Sequence, residues 1–131
     1  MRQLLPSALD VQDLAFLISS DERPAHIDRP WLLANMVSSV DGAVAVDGRS
    51  GALGGEPDAE MFGAVRSVPD AILVGAGTAR AERYRRPQPG PNSARRRSRG
   101  QSDAPALAVV TNSGWFPDDQ PFFGGDGPPP M

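Results

Sequence analysis

Two glycine-bearing turns hold the residues of this chain best suited to chemistry. In the first, Gly75-Ala76-Gly77-Thr78 follows the apolar run Ala71–Val74. Backbone N–H groups where a strand empties into a helix can hold a phosphate, glycine lets the anion approach closely, and the Thr78 hydroxyl adds a donor. The spacing falls short of a dinucleotide fingerprint, because Arg80 stands where G-x-G-x-x-G requires its third glycine. A plain tight turn explains the same residues, and both readings stay open. In the second turn, Ser38-Ser39-Val40-Asp41-Gly42 leaves a carboxylate at the end of another apolar run. An Asp that hydrogen-bonds its own backbone accounts for Asp41-Gly42 without any ligand. A carboxylate at the mouth of a site fits equally well. Arg66 closes a predicted helix, where a solvated cation complements the helix dipole. The alternative is a planar fork that grips a phosphate.

Composition narrows the reaction classes. The chain has 131 residues, no cysteine and one histidine, His26, and all 13 basic residues are arginine. Disulfides, thiolate metal sites, a Cys nucleophile and a multi-His metal site are excluded. Without lysine there is no Schiff base and no lysine-dependent phosphate loop. What remains favours chemistry carried by a bound cofactor. His26, in a polar stretch, reads as ordinary surface.

The net charge of −3 conceals an asymmetry: Arg80–Arg99 holds eight arginines against Glu82 alone. The run Arg95–Arg99 has the charge to attract nucleic acid. It lacks interleaved aromatics, its neighbours are Pro, Ser and Gly, and the chain is acidic overall, so a solvated loop is the expectation and no nucleic-acid partner is. No apolar run reaches the roughly 18 residues a membrane span needs, and Met1–Pro6 lacks the apolar core of a signal peptide. A cytoplasmic protein without a membrane partner is expected.

The elements that must position these residues follow from periodicity. Apolar Val11, Leu14, Ala15 and Ile18 predict a helix over Ser7–Ile18. A polar segment bounded by Pro24 and Pro30 follows, so residues 1–30 read as a helix and linker. Trp31–Val37 and Ala43–Val46 read as strands. Glu56–Val68 reads as a helix with Pro57 at its start and Pro69 beyond its end. Ala71–Val74 reads as a buried strand, Gly77-Thr78 opens a short helix, and Ala106–Val110 is a further strand. The Arg/Pro-rich stretch 85–104 is expected to be a mobile loop, and 124–131, rich in Gly and Pro, a disordered tail. This alternation predicts an α/β fold with a parallel or mixed sheet. Its few elements make a thin core for a sheet that needs cover on both faces.

Taken in order, Arg29-Pro30, the Ser-x-Asp-Gly turn at Ser39–Gly42, Gly48-x-Ser50, Arg66, the Asp70–Thr78 run and Ala108–Ser113 resemble the pyrimidine reductase family of riboflavin biosynthesis. The resemblance runs from Arg29 to about Phe123. It implies a dihydrofolate-reductase-like three-layer α/β fold, here truncated to a partial reductase domain over 31–123. It also implies NADPH-dependent reduction of 5-amino-6-(5-phosphoribosylamino)uracil, a phosphorylated pyrimidine, to its ribityl product. Carried over by position, Ser50 and Arg66 contact substrate, with Arg66 on its phosphate, and Asp41 shapes the mouth as an orienting residue. Val37, Ala52, Thr78, Glu82 and Asn112 line NADPH, and Gly75 and Gly77 form the turn beside it. No protein nucleophile and no metal is implied, since the hydride comes from the cofactor.

Departures from the family pattern are also legible. The family often has Trp where Ala52 stands and Asp where Glu82 stands, and the sequence after Tyr84 diverges. Nothing after Phe123 matches the family's second half, with its acidic substrate contact and its Gly-Gly turn at the cofactor phosphates. The chain is therefore expected to supply one wall of a two-walled site, and a homodimer is one possible partner arrangement. Two other readings stay open: a folate or pterin reductase on the same scaffold, and a non-catalytic remnant or partner-binding half-domain.

Overall fold

The computed structural model describes residues 2–3 and 8–131. The chain divides into two compact units, one of residues 1–46 and 50–68, the other of 47–49 and 69–131.

In the first unit, β1 (Arg2–Gln3) pairs antiparallel with β2 (Leu9–Asp10), Arg2 opposite Asp10. Helix α1 spans Leu14–Ser20, a later start than the predicted Ser7, which lies outside the described residues. The reason is local. Asp13 adopts extended backbone and its carboxylate accepts the Phe16 N–H at 2.8 Å, so Asp13 is the cap. Leu9 and Asp10, expected to be helical, pair with β1 instead. Helix α2 spans Glu56–Ser67 as its pattern predicts, with Glu56 and Asp58 in the first turn and Arg66 in the last. Val68 caps it, still in helical backbone with its N–H donating to the Val65 carbonyl at 3.4 Å, and Pro69 beyond has no N–H with which to continue the helix. Val11, Leu14 and Ala15 pack on Ala64, with Leu17, Ile18 and Met61 around them.

The strands predicted over Trp31–Val37 and Ala43–Val46 do not form as ladders; Val46 makes only an isolated bridge. Their residue types suit a pleated surface, but strand preference is expressed through packing against neighbouring strands. Leu32 and Met36 stay exposed. Trp31 is held instead by its indole N–H, which donates to the Pro24 carbonyl at 2.8 Å, and by the His26 ring 5.0 Å away.

The second unit is built on two parallel strands, β3 (Ala71–Gly75) and, after two short helices, β4 (Ala106–Val110). Ala71 pairs with Ala106 and Gly75 with Val110. Helix α3 (Ala76–Ala81) follows β3 directly, and α4 (Ser93–Ser98) lies within the stretch expected to be a mobile loop. That stretch is ordered because Arg96, only 2% exposed, donates from Nε to the Ser102 carbonyl and from a terminal nitrogen to the Pro69 carbonyl, both at 2.8 Å. Val74, Ala79, Leu107 and Phe122 form the core, flanked by Ile72, Tyr84, Val109 and Phe116.

The C-terminal tail, expected to be disordered, is tied down at both ends. A 3-10 turn, Pro121–Phe123, buries Phe122, and the Arg86 guanidinium donates to the carbonyls of Phe122 (2.8 Å), Phe123, Gly125 (3.3 Å) and Gly127 (3.2 Å). Glycine is required at 127, where a Cβ would collide with the Pro87 carbonyl. The Met131 backbone then exchanges hydrogen bonds with Leu107 and Val109, covering the free edge of β4. Composition does not show these contacts, which a cation from a distant stretch makes with backbone carbonyls.

Among the described residues β3 pairs with β4 alone, and Leu73 on it is 67% exposed. A short, uncharged, apolar strand with an open edge is a template for pairing between molecules. Leu73→Lys is therefore expected to suppress concentration-dependent self-association, read by light scattering, while changing stability by no more than about 0.5 kcal/mol.

Candidate functional site

Because β3 and β4 are parallel neighbours, their carboxyl ends lie side by side. Gly75, Ala76, Gly77 and Thr78 leave one end, and Thr111 and Asn112 leave the other. This is the end of a parallel sheet at which ligands bind. Gly77, Thr78 and Asn112 are exposed, and a Cβ built on Gly75 or Gly77 meets nothing within 4 Å. A ligand can therefore approach this backbone closely. Glu82 caps the end of α3, its N–H donating to the Thr78 carbonyl at 2.9 Å, and is half-buried. Of the predicted cofactor residues, the structure thus brings Gly75, Gly77, Thr78, Glu82 and Asn112 onto one edge of the second unit. These residues fit one side of a nucleotide: open backbone, a hydroxyl and an amide, without bulk.

The remaining predicted residues belong to the first unit. Val37 is half-buried on a segment without strand pairing, and Ser50 and Ala52 are exposed on a turn in which the Leu53 N–H donates to the Ser50 carbonyl at 3.0 Å. Arg66 lies in the last turn of α2, half-buried, with its guanidinium 4.9 Å from the centre of the Phe62 ring. A cation over an aromatic face is attracted by the ring's quadrupole and steadied there.

Asp41 lies in a turn closed on itself. The Ser39 N–H donates to the Ala43 carbonyl at 2.9 Å, the Gly42 N–H to the Ser39 carbonyl at 2.9 Å, and the Ala43 N–H to the Ser39 hydroxyl at 2.9 Å. Gly42 has φ +88°, a left-handed conformation that glycine adopts freely. The Ser39 hydroxyl donates to the Asp41 carboxylate. That hydrogen bond, with lesser help from the Ala43 and Asp41 backbone, holds the Asp41 carboxyl below its ordinary value against a small opposing desolvation. The sequence named this turn through Asp41 and missed Ser39 as a partner. The signal available was a hydroxyl two residues before the carboxylate and a glycine directly after it.

Parallel strands whose carboxyl ends open onto a glycine turn make an α/β domain, and its structural similarity to a pyrimidine reductase-like protein sets it in the dihydrofolate-reductase-like class. The chain belongs to the RibD C-terminal domain family, whose model matches residues 30–131. The match thus takes in the tail beyond Phe123, outside the span from which the resemblance was read. A pyrimidine reductase-like protein from Corynebacterium diphtheriae is similar in structure, with a TM-score of 0.59 and 31% sequence identity. The similarity covers 65% of this chain, which spans about a third (35%) of that protein. No curated protein matches the chain. No helix of the described residues is long and apolar enough to cross a membrane.

Proposed function

We propose that this chain is the cofactor-facing part of an NADPH-dependent pyrimidine reductase, acting in the cytoplasm on 5-amino-6-(5-phosphoribosylamino)uracil. The observation that carries this reading is the open glycine turn Gly75–Thr78 beside Asn112, at the shared carboxyl end of two parallel strands, in a member of the RibD C-terminal domain family. When bound, NADPH supplies a hydride for the C1 carbon of the ring-opened sugar. The chain's own residues bind and orient. Backbone N–H groups at Gly75 and Gly77, with the Thr78 hydroxyl, hold the cofactor close to the strand end. In the same unit Glu82 accepts hydrogen bonds from it, and Asn112 can both donate and accept. Arg66 and Ser50 bind substrate, Arg66 by pairing with the phosphate.

Titration of the folded chain with NADPH, followed by nicotinamide fluorescence, tests this directly. Saturable binding that weakens when Gly77 is replaced by valine is the expected result. A flat titration by protein whose circular dichroism is intact overturns the reading and leaves the family's fold without its cofactor function.

A further inference from the structure

We propose that Ser39 is a positioning residue: its hydroxyl fixes the Asp41 carboxylate in one orientation, as an acceptor-only group for the N–H or O–H donors of an amino- or polyhydroxy-bearing substrate. The proposal rests on the reductase reading above and deepens it by assigning the chemistry that Asp41 offers.

The geometry carries it. Ser39 is the hub of the turn, since its N–H, its carbonyl and its hydroxyl each make a hydrogen bond within residues 39–43. A hydroxyl has one proton to give and two lone pairs. Here the Ala43 N–H takes a lone pair at 2.9 Å, and the proton goes to the Asp41 carboxylate in preference to the Ala43 carbonyl, which lies farther off at 3.4 Å. The donation favours the ionised carboxyl, which accepts hydrogen bonds and gives none. No charged side chain among the described residues contributes to its lowered pKa. One carboxylate oxygen is turned inward to Ser39, and the exposed remainder of the group faces solvent. Asp41 so held cannot serve as a proton donor to substrate. It can fix a hydroxyl or amine by accepting from it. Its contribution to the turn is complete above the ordinary aspartate range and fades as pH falls through the lowered value.

The test compares Ser39→Ala, Ser39→Thr and Asp41→Asn in the full chain. The Asp41 carboxyl is titrated by carbon NMR, and the affinities for 5-amino-6-(5-phosphoribosylamino)uracil and for NADPH are measured separately. Expected in Ser39→Ala are an Asp41 midpoint raised toward the ordinary value and substrate binding weaker by roughly tenfold. NADPH affinity should stay within about twofold. Ser39→Thr, which keeps the hydroxyl, restores both the midpoint and the affinity, and Ser39→Ala adds nothing further on top of Asp41→Asn. An unmoved Asp41 midpoint in Ser39→Ala overturns the proposal. So does a moved midpoint with unchanged substrate affinity, in which case Ser39 serves only the turn. Loss of NADPH binding in the unmodified chain overturns the reductase reading instead, and that result is separable because the carboxyl titration needs no ligand.

Discussion

Arg96→Ala is expected to destabilise the second unit by about 3 kcal/mol, the largest effect of any single arginine in the chain. Its guanidinium is buried and donates to two carbonyls, Ser102 on the loop after α4 and Pro69 just before β3. Hydrogen bonds from a charged donor contribute about 1.5–3 kcal/mol, and truncation also leaves both carbonyls without that donor and a cavity behind. Burial pulls the Arg96 guanidinium below its ordinary value and Asp70 draws it back; an arginine keeps its charge in a protein. Arg97 is the control one residue away. Its pair with Asp103, at 2.7 Å, is half-exposed on both sides, so Arg97→Ala should change stability by less than about 1 kcal/mol. Amide exchange at Ala106, whose N–H donates to the Asp70 carbonyl at 3.0 Å, reports the difference where α4 meets the start of the sheet. Equal exchange rates in the two variants would mean that α4 does not anchor β3.

Arg66→Ala is the second large effect, and it falls on ligand binding. Under the proposed function it should weaken affinity for the phosphorylated pyrimidine by roughly 10- to 100-fold, the range of a charge-assisted bidentate contact. NADPH affinity should change by less than about threefold. Arg66→Lys keeps the charge but loses the planar fork, and should recover only part of the loss. Phe62→Leu separates support from contact: it removes the ring beneath the guanidinium and leaves the guanidinium itself. A small effect in Phe62→Leu beside a large one in Arg66→Ala places the phosphate on Arg66. Equal losses for substrate and cofactor in Arg66→Ala would assign Arg66 to the structure of α2, where a cation at the helix end is favourable in its own right.

Features governed by short-range rules were legible in the sequence. Helix α2 lies where its apolar spacing, its Pro57 start and the downstream Pro69 set it. The strands β3 and β4 fall on their uninterrupted apolar runs, and the glycine turn emerges at a strand end. The same rules start α1 too early, at Ser7, because apolar spacing marks the buried face and not the cap. The start is set by the Asp13 carboxylate, which reaches the free Phe16 N–H. They also gave two strands too many. Trp31–Val37 has the composition of a strand, but a strand needs a neighbour's backbone, and nothing local to the run supplies one.

For the candidate site, residue types alone left Gly75–Thr78, Asp41 and Arg66 each with a plain explanation beside the functional one. The resemblance chose among these explanations. Ser39 was within reach of a local rule, two residues from its carboxylate, whereas Arg86 acts through carbonyls 36 to 41 residues away.

The sequence by itself determined the α/β alternation, the glycine turn after β3, the absence of thiol and lysine chemistry, and membership of the reductase family. These follow from residue type and spacing within about a dozen neighbours. Tertiary structure alone decided that β3 and β4 run parallel with their ends adjacent, which sets Asn112 beside Gly75 and Gly77. It alone decided that Arg96 is buried, that Arg86 collects four carbonyls of the tail, and that Met131 covers β4. Each of those contacts spans tens of residues, and a polar residue's role is fixed by the partner that remains available once water has been excluded.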